Sequence, residues 1–196
     1  MNTARRRPAG VGGRPPGTAG QGDRARPGPV MDTTPLRDAY RELIDAAVAV
    51  ADAGPGTPPP PGEWDADQVL AHVCLVTAAT IASTACIAAG TDTTYDNRAA
   101  SDTWTIDRLV DRAGGTAGLR ERLRVQGDAL CALGGSMGEP ELETPVPTLL
   151  LSHGAVLVEQ PLRLRELLHG LADGELPGHR RQLLARFEGV PGVGAP

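Results

Sequence analysis

The sequence predicts an all-α fold of four helices, with a small β-hairpin inserted between helices 3 and 4, and three observations predict it. Aromatic residues make up only 3% of the chain, so a core must be assembled from Leu, Val, Ile and Ala, which suits closely packed helices better than a β-sandwich. Apolar residues recur at helical spacing in four long stretches separated by Gly- and Pro-rich breaks. Between the third and fourth of these stretches the pattern changes to that of two short strands around a turn.

At 196 residues the chain has room for one domain able to bury a core without disulfides. Residues 1–30 are rich in Gly, Pro and Arg with almost no large apolar side chain, and read as a disordered tail because they cannot bury enough surface to offset the entropy of ordering. Residues 31–189 read as the folded unit and 190–196 as a flexible C-terminal tail. Arg5-Arg6-Arg7 is followed by no apolar run, which excludes a twin-arginine signal. Met31 reads as an ordinary protein start, with the leader an upstream extension of the reading frame.

All 19 basic residues are Arg; six of them lie in the first 30 positions beside one acid, leaving 13 against 23 acidic residues in the remainder. An acidic body of this kind argues against nucleic-acid binding. Cys74, Cys86 and Cys131 are odd in number and lack metal-type spacing, which predicts a reduced, cytoplasmic protein.

Thr34-Pro35 is a helix start, after which Leu36, Tyr40, Leu43, Ile44, Ala47, Val48 and Ala51 recur on one face up to Gly54. Residues 54–62 contain five prolines and must run extended. Asp65 with Gln68 three positions on forms a capping-box start to a second helix over 66–89 that is apolar on nearly every side and therefore central. Thr, Ser, Cys and His interrupt it and small residues dominate it, so it is not a membrane span. Residues 90–102 read as a polar loop. A third helix follows in two pieces, 103–113 and 117–133, broken at Gly114-Gly115. Leu149-Leu150-Leu151, Ser152-His153-Gly154 and Val156-Leu157-Val158 form the hairpin pattern. The fourth helix, 164–187, is interrupted by Gly170, Gly174 and Pro177; Pro177 cannot donate to the carbonyl of Asp173, so the helix either kinks there or restarts near Gly174.

In Glu175-Leu176-Pro177-Gly178-His179 the two polar side chains stand four apart and share one helix face. A carboxylate and an imidazole converging this way suit a divalent metal, or a surface ion pair. A reactive metal usually takes three protein ligands and keeps further positions open, and His72, inside the most apolar helix, is the candidate third. Against it stands a buried His72 bonded to a neighbouring carbonyl. Gln182, three residues after His179, is placed to orient that ring as a donor. Tyr95 and Asn97 read either as the mouth of a ligand pocket or as a turn, and Arg180 either as a contact for an anionic substrate or as part of a solvated face. His153 and His169 read as a turn residue and a helix-end residue without a site role.

Trp64-x-x-x-x-Val69-Leu70-Ala71-His72, the loop Tyr95-Asp96-Asn97, the Leu-rich hairpin and Glu175-Leu176-Pro177-Gly178-His179-x-x-Gln182-Leu183 occur in this order over residues 36–187. Together they resemble the DinB/YfiT-like superfamily, and within it actinobacterial proteins similar to the metal-binding domain of the mycothiol-dependent maleylpyruvate isomerase family. The resemblance implies a DinB-like four-helix bundle with metal ligands His72, Glu175 and His179. It departs from the His-Leu-Pro-x-His pattern of many relatives at Glu175. Implied with it are Zn, Ni or Fe as the divalent metal, mycothiol as a thiol cofactor, and a small electrophilic substrate undergoing S-transfer, isomerisation or hydrolysis. The alternative is a small-molecule-binding bundle without turnover. No nucleic acid and no membrane enter as partners, and a homodimer is the assembly kept as an expectation.

Overall fold

The computed structural model describes residues 30–54, 58–152 and 154–188; the expectations for residues 1–29, 190–196 and His153 fall outside them. The described chain is mostly helical with a small sheet. Helix α1 (Thr34–Asp52) begins with Pro35 in its first turn and with the Thr34 amide donating to Asp32 Oδ1 at 2.9 Å. It buries Leu36, Tyr40, Leu43, Ala46 and Ala47, the face that the 3.6-residue period defines.

Helix α2 (Ala66–Ala88) starts at the expected capping box: the Gln68 amide donates to Asp65 Oδ1 at 2.8 Å, and the Asp65 amide to Gln68 Oε1 at 3.0 Å. It is long and apolar enough to cross a membrane, yet 61% of its most apolar window is buried inside the protein, and no other helix among the described residues passes that test. Its buried hydroxyls have partners, as burial requires. Thr77 Oγ1 lies 2.8 Å from the Tyr40 hydroxyl, Thr80 donates to Val76 O at 2.9 Å, and Thr84 donates to Thr80 O at 2.7 Å.

The third predicted helix is indeed split, into α4 (Thr103–Ala113) and α5 (Thr116–Gly134), with Gly114 and Gly115 both at positive φ, 76° and 83°, a conformation that strains any residue with a Cβ. Helix α5 packs closely on α1 and α2. A Cβ on Gly127 would stand 2.9 Å from the Tyr40 ring, so the α1–α5 approach depends on glycine there.

Residues 90–102 are more ordered than the polar loop expected from sequence. They hold a two-residue strand, β1 (Tyr95–Asp96), and a short helix, α3 (Arg98–Ser101). Strand β1 pairs in parallel with β3 (Thr148–Ser152), which forms the predicted antiparallel hairpin with β4 (Ala155–Glu159), giving the order β1-β3-β4. Asn97 extends this ladder with its side chain: Nδ2 donates to Leu151 O at 2.9 Å and Oδ1 accepts from Leu151 N at 2.8 Å. After the short helix α6 (Glu139–Leu142), strands β2 (Pro145–Val146) and β5 (Leu162–Arg163) form a separate two-stranded antiparallel ladder.

The fourth predicted helix consists of α7 (Leu164–Gly170), a π-helical turn (Leu171–Glu175) and α8 (Leu176–Glu188). The chain therefore neither stops nor restarts at Gly174. The wider turn ends two residues before Pro177, whose missing N–H breaks the regular ladder, and it sets the direction of Glu175. Such π turns recur at functional sites.

Candidate metal centre

His72 lies two turns into α2, where packing leaves its side chain only 6% exposed. Glu175 closes the π turn, and His179 follows one helical turn later on the same face of α8. Both rings aim Nε2 at one carboxylate oxygen: Glu175 Oε1 is 2.9 Å from His72 Nε2 and 3.2 Å from His179 Nε2. One ligand atom from each of the three residues lies within 4.8 Å of the others, and the group could hold a metal ion.

The opposite edge of each ring fixes its tautomer. His72 Nδ1 is 2.7 Å from the carbonyl of Ala100, which can only accept, so Nδ1 carries the hydrogen. His179 Nδ1 is 2.8 Å from Gln182 Oε1; Gln182 thus orients the ring as an acceptor, not as the donor expected from sequence. In the neutral state each ring then presents a lone pair to a carboxylate oxygen. Two lone pairs and an anion facing one point need a proton or a cation between them, and a ring whose far N–H is held by a carbonyl is the usual arrangement of a metal-ligating histidine. The donor set of two imidazole nitrogens and one carboxylate fits a divalent transition metal. His72 is bonded to a carbonyl through one nitrogen, as the reading without a metal expected, and directed at Glu175 through the other.

Without a cation the three groups still couple. Burial pushes the Glu175 carboxyl up, but hydrogen bonds from His179 and His72 outweigh it and hold the group well below the usual carboxylate range. Burial works against charge on His179, and its hydrogen bond and attraction to Glu175, with Gln182, raise its pKa on balance.

A cavity of about 500 Å³ opens beside the cluster. Trp64 forms part of its wall and packs on His72, ring centroids 4.7 Å apart. The hairpin supplies Leu150, Leu151 and Leu157, while Ser101 and Gln182 add polar atoms. Tyr95, Asn97 and Arg180 do not line it. Tyr95 is buried, which pushes its phenol up to about 12, a hydrogen bond from Thr80 opposing the rise and the Glu175 charge adding to it. Asn97 is spent on β3, and Arg180 faces Glu42 of α1 at 3.7 Å. His169 is exposed on α7. Trp64 as a cavity wall escaped the site reading, although an aromatic just ahead of a helix carrying a buried histidine is unusual in a chain with five aromatics. Ala100 left no signal, because any residue type presents the same carbonyl.

Compared with family models, curated proteins and solved structures, the chain matches none.

Proposed function

We propose that this chain is a divalent-metal-dependent protein of the DinB/YfiT-like kind, acting on a small electrophilic molecule with a low-molecular-weight thiol such as mycothiol. In this reading α1, α2, α4–α5 and α7–α8 are the four members of a bundle; the packing of α1 on α5 and α8, and of α2 on α4 and α5, supports it. The observation that carries the proposal is the convergence of two Nε2 atoms on one Glu175 oxygen while both Nδ1 atoms are held elsewhere. Zn²⁺, Ni²⁺ and Fe²⁺ suit that donor set about equally. A bound divalent cation supplies positive charge that lowers the pKa of a thiol or water beside it. The chain does the rest: Ala100 and Gln182 keep the rings in the ligating tautomer, Glu175 lowers the net charge of the centre, and Trp64 with the hairpin leucines shields one side from water. The three free cysteines accord with a reducing, cytoplasmic setting.

Elemental analysis of the purified full chain beside a His72→Ala variant, with turnover of a panel of thiol-reactive small molecules, tests this. Stoichiometric metal lost in the variant is expected; equal metal content in both sinks the triad. A second reading, a binding protein without turnover, is favoured by one observation: among the described residues lining the cavity, Glu63 is the one carboxylate or imidazole beyond the three ligands. Full metal occupancy with no turnover of any panel member would select it.

A further inference from the structure

Resting on the metal-centre reading, we infer that Gln182 is a ligand-contact residue of the cavity: its side-chain NH2 donates to a carbonyl oxygen, or an equivalent acceptor, that a ligand carries beside the atom it presents to the metal. The site thereby selects small molecules in which a metal-binding atom and a carbonyl are neighbours, such as mercapto esters, over alkyl analogues without the carbonyl. A site that hydrogen-bonds a ligand group discriminates against the analogue lacking it, because its own polar group is then left unpaired.

The orientation of the Gln182 amide is forced. His179 must offer Nε2 as a lone pair in order to ligate, so its hydrogen sits on Nδ1, 2.8 Å from Gln182 Oε1. With that oxygen committed to the ring, the NH2 cannot change places with it without setting one N–H against another. Gln182 stands three residues after His179 on α8, so helical spacing keeps the bond in place. The residue is half-buried and lines the cavity beside Glu175 and His179. Among the described residues its oxygen has a partner and its NH2 has none. Donors fixed beside the ligand cluster and answered by nothing in the protein call for an acceptor from whatever fills the cavity. The Ser101 hydroxyl also lines it, but a hydroxyl rotates to donate or accept and so discriminates less between ligand groups. Leu150, Leu151 and Leu157 offer apolar wall to the rest of the ligand.

Variants of Gln182 separate its two ends. Gln182→Glu keeps an oxygen for the His179 Nδ1–H and removes the donors, so zinc content after dialysis should stay at the wild-type level. Gln182→Leu removes both ends and should bind zinc about tenfold more weakly, as loss of a group orienting a ligating histidine does. Methyl thioglycolate and butanethiol are then titrated by calorimetry into the zinc-supplemented full chain, wild type and Gln182→Glu. The affinity ratio of ester to alkyl thiol is expected to fall about tenfold in Gln182→Glu; comparing the ratio between the two proteins cancels the different acidities of the two thiols. A metal-independent arm titrates cyclopentanone and cyclopentene into isotope-labelled wild type held in chelator. Cyclopentanone should shift the Gln182 side-chain amide resonances, assigned by their absence from Gln182→Glu, and cyclopentene should leave them in place. An unchanged ratio, amide resonances indifferent to cyclopentanone, or zinc loss in Gln182→Glu equal to that in Gln182→Leu overturns the inference. Zinc absent from the wild type with the cyclopentanone shift intact would remove the metal reading and leave the contact standing; zinc bound with an indifferent amide would do the reverse.

Discussion

Glu175 Oε1 stands 2.9 Å from Nε2 of His72, a residue 103 positions earlier in the chain. Only the folded packing of α2 against α8, which continues the π turn that carries Glu175, brings the pair together. Anything that binds both therefore binds the folded state alone and shifts unfolding by mass action.

Metal removal should accordingly lower the melting temperature. At a free metal concentration about 100-fold above Kd the stabilisation is about 2.7 kcal/mol, or roughly 5–10 °C for a chain of this size. Differential scanning calorimetry with and without chelator should show that drop in the wild type and none in His72→Ala. Identical responses would mean that His72 is no ligand.

The direction of Glu175 was only half legible in the sequence. Spacing placed Glu175 and His179 on one face, and Pro177 announced an irregularity, but whether the backbone would kink, restart or widen depended on packing against α1, which contacts both the π turn and α8. Signals confined to a few neighbouring residues read correctly: the Asp65–Gln68 capping box, the Gly114-Gly115 break and the β3–β4 hairpin. Strand β1 did not, since two residues carry no period and its partner lies some fifty positions away. Gln182 was visible by its spacing from His179, while the sense of its hydrogen bond had to wait for the ring's orientation.

Substitutions at Glu175 separate its charge from its shape. Glu175→Gln keeps the outline but removes the anion, weakening ligation and leaving the centre more positive. Glu175→His restores a third imidazole and should retain metal with altered preference and altered acidity of a bound thiol or water. Metal retention measured by elemental analysis after dialysis should run Glu, then His, then Gln. Unchanged content in both variants would place Glu175 outside the coordination sphere.

The same residues set opposite pH slopes with and without metal. In the metal-free chain the His179 pKa is raised above its ordinary 6.5, so its contribution is fully present below that value and is lost as pH rises through the raised one. Glu175 is depressed below its ordinary 4.5, so its contribution is present above 4.5 and is lost as pH falls through the depressed value. Metal-free stability from this cluster is thus greatest between about pH 4.5 and 6.5. A metal needs His179 neutral, so its stabilisation grows as pH rises. The chelator-induced drop in melting temperature should be larger at pH 8 than at pH 6; equal drops would argue that no proton is displaced from His179.

Asn97 offers a test that reaches the cavity without touching the metal ligands. Its amide makes two hydrogen bonds to the backbone of Leu151, at 2.9 and 2.8 Å, and the residue is 4% exposed. Removing it leaves a part-buried N–H and C=O of β3 without their side-chain partners, which costs up to about 1–3 kcal/mol, or roughly 2–12 °C in melting temperature. Asn97→Asp keeps the acceptor for the Leu151 amide but loses the donor to its carbonyl and adds a buried charge, so it should be at least as damaging as Asn97→Ala. Because Leu150 and Leu151 form part of the cavity wall, loosening β3 should weaken binding of an apolar probe while metal content stays at the wild-type level, since the Asn97 side chain bonds Leu151 and none of the three ligands, and Glu175 and His179 come from the π turn and α8. Amide exchange at Leu151 should quicken in both variants. Loss of metal in Asn97→Ala, with Leu151 exchange unchanged, would instead tie Asn97 to the ligand shell and away from the strand.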